Sequence, residues 1–255
     1  MNRVLARKWL RKAAIVAGKA VGQYHPAKAT GLAVKPEDWI QLAERAGVKR
    51  FADTLGGPFP SELMADQGGL SLPSDPEWCI RWQVFDVPSA YVRGGQEWMT
   101  GCGIRRTELN EDGQEPPFEV VALYSLHTNT IYHASRSDGD ARRNNALLKL
   151  PAGSQSPPRA GVMVADGVPV TKEVWALAKE LAGPVAWAPV VTGPFAAVVA
   201  FASGQTDFLL IPPSLLQSEG FAMALPIAEM AGASVREYES SGITILAKES
   251  VVVGR

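Results

Sequence analysis

Apolar positions recur at helical spacing in the first part of the chain. They stand three and four residues apart, which is typical of one buried face of an α-helix, so we predict a helix over 2–24. The repeating positions are Leu5, Trp9, Ala13, Val16 and Ala20. A second apolar set follows Pro36, a residue that suits the first turn of a helix, and predicts a helix that runs, with a break at Gly47, to about Leu55.

The middle of the chain has the pattern of β-strands. Runs rich in β-branched and aromatic residues, bounded by turn residues, predict four strands. These are Cys79–Phe85, Met99–Glu108, Phe118–Ser125 and Thr130–Ala134. The second and third strands are expected to pair across the turn Asn110–Gln114. Strands after helices predict an α+β half with a large antiparallel sheet, over residues 1–152.

After a Ser- and Pro-rich stretch at Gly153–Arg159, predicted strands alternate with predicted helices. The strands are Gly161–Val164, Val185–Val191, Phe208–Ile211, Ser234–Glu237, Thr244–Ala247 and Val251–Val253. The helices are Val170–Leu181, Phe195–Ser203 and Gly220–Ala231. This alternation predicts an α/β half over residues 160–255.

Composition and charge exclude several classes of protein. The 255 residues are 46% hydrophobic and 20% charged, so the chain is able to form a full core and is not a disordered protein. A net charge of −1 provides no basic field for nucleic acid, and no nucleic-acid partner is expected. Cys79 and Cys102 lack metal-binding spacing. They form either a disulfide or two buried free thiols, and we expect the free thiols and a cytoplasmic protein.

Two segments raise the question of a membrane. Gly183–Thr206 has no charged residue over 24 positions, but Pro184, Pro189 and Pro194 argue against one spanning helix. The first predicted helix is basic, which is compatible with a membrane surface but is more typical of a solvated outer face. Its basic residues are Arg3, Arg7, Lys8, Arg11, Lys12 and Lys19.

Common catalytic motifs are absent from the sequence. It contains no phosphate-binding P-loop, no G-x-G-x-x-G, no G-x-S-x-G and no H-E-x-x-H. The three histidines lie in unrelated contexts. The remaining candidates are carboxylates next to apolar stretches, namely Glu44, Asp66, Asp86, Asp207 and Glu219.

The order of several segments along the chain resembles the inositol monophosphatase superfamily. The clearest is Val121–Ala134 with Asp138-Gly139-Asp140-Ala141 and Asn144-Asn145, which is similar to the family's strand–turn–strand signature. Further similar segments are Tyr91–Gly94, Gly193–Gly204 with Asp207, and Glu229–Gly232. The resemblance implies a layered α-β-α-β-α sandwich, Mg²⁺-dependent phosphomonoesterase chemistry and a homodimer.

The resemblance also assigns roles to individual residues. Oxygen ligands around Mg²⁺ are the basis of the family's chemistry, because this hard cation binds carboxylates and water. By resemblance, Glu44 is the catalytic residue, Asp66, Asp86 and Glu219 are metal ligands, and Ser89 and Gly193 bind phosphate or substrate.

The sequence departs from the family at the central metal-binding motif. Gln83 stands where the family has a bridging Asp, and Val87-Pro88 replaces a Gly-Thr pair. A neutral amide does not offset a doubly charged ion, and Pro88 has neither a hydroxyl nor a backbone N–H. We therefore expect Mg²⁺ to bind weakly or not at all.

Three hypotheses about function remain. The first is a diverged protein of this fold with impaired or lost catalysis that binds a phosphorylated ligand or a protein partner. The second is an active Mg²⁺-dependent phosphomonoesterase acting on a small sugar, inositol or nucleotide phosphate. The third is a membrane-surface or host-interaction accessory factor of a bacterial mobile element, which would use the basic first helix.

Overall fold

The computed structural model describes residues 3–26, 35–56, 69–71, 77–95, 98–111, 113–151, 158–165, 168–182, 190–238 and 242–248. Its helices are α1 (Arg3–Val21), α2 (Pro36–Leu55), α3 (Pro88–Val92), α4 (Lys172–Ala182), α5 (Pro194–Ala202), α6 (Pro213–Leu216) and α7 (Glu219–Met230). A 3₁₀ turn at Gly22–Tyr24 follows α1. The predicted strand Val251–Val253 and the candidate Asp66 lie outside the described residues.

The strands belong to two sheets. The first contains β1 (Gly69–Ser71), β2 (Trp78–Gln83), β3 (Thr100–Arg106), β4 (Val120–Ser125), β5 (Thr130–Ser135), β6 (Asp140–Arg143) and β7 (Ala146–Leu148). The second contains β8 (Ala160–Met163), β9 (Val190–Thr192), β10 (Phe208–Ile211), β11 (Ala233–Tyr238) and β12 (Ile243–Lys248).

Helices α1 and α2 pack on each other, and α1 lies across β3, β4 and β5. The small and aliphatic residues of α1 that face the sheet and α2 are fully buried, which stabilises the pair by the burial of apolar surface. They are Ala6, Leu10, Ala13, Ala14, Ala17 and Val21. This apolar face is therefore not available to a lipid surface. Both predicted helices are confirmed, but the predicted break at Gly47 is wrong, because α2 continues through it.

The first sheet is an antiparallel meander in which every strand pairs with its neighbour along the chain. Successive side chains of a strand point to opposite faces. Ile80, Trp82 and Ile104 belong to the core on the α1 side, and Leu123 and Tyr132 belong to the core on the other side. Arg81, Gln83 and Arg105 alternate with the α1-side residues and so lie on the second face.

The second sheet has the order β11-β12-β10-β8-β9 and is parallel only where β8 pairs with β10 and β9. One face packs on α4, through Val162 and Leu210. The other face packs on α5 and α7, through Met163 and Leu209. Since α7 also contacts the first sheet, the layers follow the order helix, sheet, helix, sheet, helix.

Most predicted strands and helices are present, with ends shifted by up to three residues. The predicted strand Val185–Val191 lies mostly outside the described residues, and only its end coincides with β9. The pattern missed short elements: α3, α6, β1, β6 and β7 each have five residues or fewer, too few to establish a period. The turn between β6 and β7 depends on Asn144 at φ 55°, a conformation that asparagine tolerates. The described part of the chain contains no helix long and apolar enough to cross a membrane. The division into halves at 1–152 and 160–255 stays a prediction.

Candidate functional site

Asp86 lies three residues beyond the end of β2 and is buried at the N-terminus of α5. Its Oδ1 accepts a hydrogen bond from the backbone N–H of Met99 at 2.7 Å, and its Oδ2 accepts one from the backbone N–H of Ala196 at 3.3 Å. A carboxylate in this position satisfies a free donor of the helix and interacts favourably with the helix dipole. Burial raises the pKa of Asp86 to about 7, and its hydrogen bonds to backbone N–H groups oppose that shift.

The N-termini of α5 and α7 meet the end of β2 through two glycines. A Cβ on Gly193 would lie 2.0 Å from Val87 Cγ2 and 3.0 Å from Asp86 Oδ2. A Cβ on Gly220 would lie 3.0 Å from Gln83 Oε1. Such close approaches leave no room for a larger side chain, so glycine is needed where these elements converge.

Arg105 forms the charged centre of the neighbouring part of the site. Its guanidinium is buried, and its Nη2 lies 2.6 Å from Glu115 Oε2 and 3.4 Å from Glu219 Oε2. The guanidinium also stacks over the ring of Phe118, 4.8 Å from the ring centroid. Burial raises the pKa of Glu219, and the positive charges of Arg105 and Arg81 oppose that rise.

A polar cleft of about 390 Å³ opens beside this ion-pair network. Arg105, Gln114, Glu115, Gln217 and Glu219 line it, together with prolines of the β3–β4 connection. Among the described residues, Gln83 Oε1, Glu219 Oε1 and Arg81 Nε are buried atoms without a hydrogen-bond partner. Both donors and acceptors are therefore left for a polar ligand near this cleft.

The residues assigned by resemblance are only partly brought together. Gly193 lies next to Asp86. Ser89 lies three residues after Asp86, in α3, where its Oγ accepts a hydrogen bond from Arg93 Nη2 at 3.1 Å. Glu219 pairs with Arg105, while Glu44 is exposed on α2. Asp66 is not among the described residues, so its role stays a prediction.

These residues do not fit a magnesium centre. Both oxygens of Asp86 accept backbone hydrogen bonds, Glu219 is paired with a guanidinium, and Gln83 carries no charge. Within the described ranges, no three His, Cys, Asp or Glu side chains group closely enough to hold a metal ion. A divalent cation here would face the positive charges of Arg81 and Arg105.

Sequence reasoning missed Arg81 and Arg105. A signal was present, because both occupy alternate positions of predicted strands on the same face as Gln83. A charge at such a position is unusual unless it has a partner. The partners of Arg105, Glu115 and Glu219, come from a loop and a helix that the strand pattern does not connect.

Comparisons with known proteins give fold information alone. No protein-family model matches the sequence, and no curated protein sequence matches it.

Solved structures do match over nearly the whole chain. An inositol monophosphatase from Zymomonas mobilis has a TM-score of 0.72 at 13% identity, covering 98% of this chain and 96% of its own. CysQ from Bacteroides thetaiotaomicron, a bacterial member of the inositol monophosphatase family, has a TM-score of 0.71 at 10% identity, covering 96% and 97%. The extragenic suppressor protein SuhB from Bartonella henselae has a TM-score of 0.70 at 13% identity, covering 96% and 94%. The layered fold expected from the resemblance is confirmed: this chain has the fold of the inositol monophosphatases.

Proposed function

We propose that this protein is a diverged member of the inositol monophosphatase fold whose metal-dependent catalysis is lost or severely weakened. It acts by binding a phosphorylated ligand or a protein partner. The observation that carries the proposal is that Asp86 and Glu219 bind other groups of the protein, and that the assigned carboxylates that the structure describes form no group able to hold a metal ion. Asp86 caps α5, Glu219 pairs with Arg105, and Glu44 is exposed on α2.

Charge supports the same conclusion. A two- or three-metal phosphatase site needs an excess of carboxylates to hold closely spaced divalent cations. Here the positive charges of Arg105 and Arg81 interact with the Glu219 carboxylate, and Gln83 adds no negative charge. Loss of a ligand is costly, since even the loss of an outer hydrogen-bond partner weakens metal binding by about 10–100-fold.

The cleft beside Arg105 supports a binding role. Its lining is polar, and Arg81, whose charge acts on the lining residue Glu219, has a buried Nε without a hydrogen-bond partner among the described residues. A ligand bound there would replace the hydrogen bonds that these buried groups otherwise lack. A cytoplasmic location and a homodimer remain predictions that follow from the thiols and the resemblance.

A phosphatase assay combined with calorimetry tests the proposal. Phosphate release from inositol phosphate, fructose bisphosphate and phosphoadenosine phosphate is measured with the full chain in Mg²⁺ and in Mn²⁺. We expect no cation-dependent release and no heat of Mg²⁺ binding at millimolar concentration. The variants Asp86→Asn and Glu219→Gln serve as controls for any background release.

One result would overturn the proposal. Metal-dependent turnover that both variants abolish would identify Asp86 and Glu219 as working ligands. The protein would then be an active phosphomonoesterase, the second of the hypotheses drawn from the sequence.

A further inference from the structure

A second charged cluster lies on the opposite face of the first sheet, where α1 meets β5 and β6. Arg7 is its centre and is largely buried. Its Nε donates to His133 Nδ1 at 2.8 Å, and its Nη1 donates to Asp138 Oδ2 at 3.0 Å. The same Nη1 lies 2.5 Å from Asp140 Oδ1. The basic face of α1 is thus partly turned toward the protein and not only toward solvent.

Two more arginines converge on this cluster. Arg11, one helical turn after Arg7, donates from Nη2 to Asn145 Oδ1 at 3.1 Å. Arg142 in β6 donates from Nε to Asp140 Oδ2 at 2.8 Å. Burial lowers the pKa of Arg11, and the charges of Arg7 and Arg142 lower it further, so the three guanidinium groups lie within range of one another.

The cluster has more positive than negative charge. Asp138 and Asp140 are its carboxylates, and both oxygens of Asp140 already face an arginine. His133 adds no charge, because its Nδ1 accepts from Arg7 and its Nε2 therefore carries the proton donated to the Asn144 carbonyl at 2.9 Å. Three guanidinium groups against two carboxylates leave one positive charge uncompensated.

Two hydrogen-bond donors of the cluster are also unused. Arg7 Nη2 and Arg11 Nε are buried and have no hydrogen-bond partner in the part of the chain that the structure describes. An arginine side chain only donates and stays protonated, so the group that completes this site is an acceptor, and the excess charge favours an anion. Guanidinium forks match the oxygen atoms of phosphate in bidentate geometry.

We propose that Arg7, Arg11 and Arg142 form an oxyanion site that binds a phosphate group. The group is either inorganic phosphate or the phosphate of a small monoester. The site is separated from the Arg105 cleft by the thickness of the sheet, since His133 belongs to the α1 face and Arg105 to the α7 face. It does not depend on the function proposed for that cleft.

Isothermal titration calorimetry of the full chain with inorganic phosphate tests the site. A second titration uses glycerol phosphate, and both are run at constant ionic strength set with chloride. The variants are Arg11→Gln and Arg142→Gln, and the matched control is Arg143→Gln. Arg143 is exposed, and its neighbouring position in β6 points its side chain to the other face of the sheet.

We expect phosphate to bind the natural protein and the Arg143→Gln control equally. Each of the other two variants should weaken the affinity by about tenfold or more, because a hydrogen bond to a charged group is removed. Tighter binding of glycerol phosphate than of inorganic phosphate would identify a monoester as the ligand, and the reverse order would identify the free anion. If Arg11→Gln does not fold, Arg142→Gln decides the result.

The proposal is overturned if neither phosphate compound binds. It is equally overturned if Arg143→Gln weakens binding as much as Arg142→Gln does, since the effect would then be one of overall charge. Retained phosphate binding after Asp86→Asn and Glu219→Gln separates this site from the cleft.

Discussion

Arg105 Nη2 lies 3.4 Å from Glu219 Oε2, so a carboxylate that the resemblance assigns to a metal ion is paired with a cation of the protein itself. The arginine side chain is 4% exposed and the glutamate side chain 39% exposed. A guanidinium in this position stabilises the carboxylate without an added ion, and it repels a divalent cation. The pair therefore supports the proposal that Glu219 does not serve as a metal ligand in this protein.

Replacing Arg105 by Gln should destabilise the protein. The change leaves Glu115 and Glu219 without their partner and empties part of a buried site. Breaking a fully buried pair costs about 3–5 kcal/mol, and the partial exposure of both carboxylates reduces this to about 2 kcal/mol. Urea unfolding measures the free energy of unfolding. Arg106→Gln is the control, because Arg106 is exposed and its loss should cost less than about 0.5 kcal/mol. Equal losses in both variants would contradict this account.

Asp86→Asn should also destabilise the protein, by about 1–3 kcal/mol. An amide has one oxygen, so one of the two backbone donors, Met99 or Ala196, loses its acceptor. The pKa of Asp86 is raised from 3.8 to about 7, so the folded state binds the proton more tightly than the unfolded state does. The stability that this provides is present below about pH 4 and is lost as the pH rises through 7.

Denaturant unfolding at intervals from pH 4 to pH 8 measures this dependence. The difference between the natural protein and Asp86→Asn should shrink as the pH rises. Asp38→Asn changes an exposed position of α2 and is the control: its stability should change with pH as that of the natural protein does. A difference that is constant across the range would show that Asp86 does not titrate there.

His133 should make the free energy of unfolding change with pH in the opposite direction. Burial, together with the positive charges of Arg7 and Arg11, lowers the pKa of His133 from 6.5 to about 4, although its hydrogen bond to the Asn144 carbonyl opposes the shift. The unfolded state therefore binds the proton more tightly, and stability falls as the pH drops from about 6.5 to 4, by at most about 3 kcal/mol. His133→Gln should remove this loss, and His127→Gln, at an exposed turn, should keep it. Stability curves that stay superimposable for the natural protein and His133→Gln would refute the prediction.

Asp207, a carboxylate singled out from the sequence, has a structural role. Its Oδ1 accepts from Lys248 Nζ at 2.7 Å, and its Oδ2 accepts from the backbone N–H of Arg159 at 2.9 Å. Both side chains of the pair are almost fully buried, so Lys248→Met should cost about 3–5 kcal/mol by leaving a buried charge.

A double-mutant cycle separates the pair from its surroundings. Thermal unfolding of the natural protein, Lys248→Met, Asp207→Asn and the double variant gives the loss of stability in each variant. The double variant should lose less stability than the sum of the two single variants. Additive losses would mean that the two groups do not act on each other.

The sequence alone predicted the elements that have a clear period. The spacing of apolar residues in α1 and α2 follows directly from burial of one helix face. The β-branched and aromatic runs of β3 to β5 follow from burial of both faces of the sheet. The family resemblance of the motifs around β4 to β6 was sufficient to predict the layered fold. The reason is that the hydrophobic core depends on the pattern of apolar residues and not on the residues of a functional site.

Tertiary structure alone decided what the charged residues do. Asp86 reaches Ala196 across 110 positions of sequence, and Arg105 reaches both a loop and the start of α7. Arg7 likewise turns toward Asp138 and Asp140, although the helical pattern places it on a basic face. Local pattern determines which face a residue occupies, whereas the energy of a buried charge depends on its distance to partners that only the packing of the layers brings near.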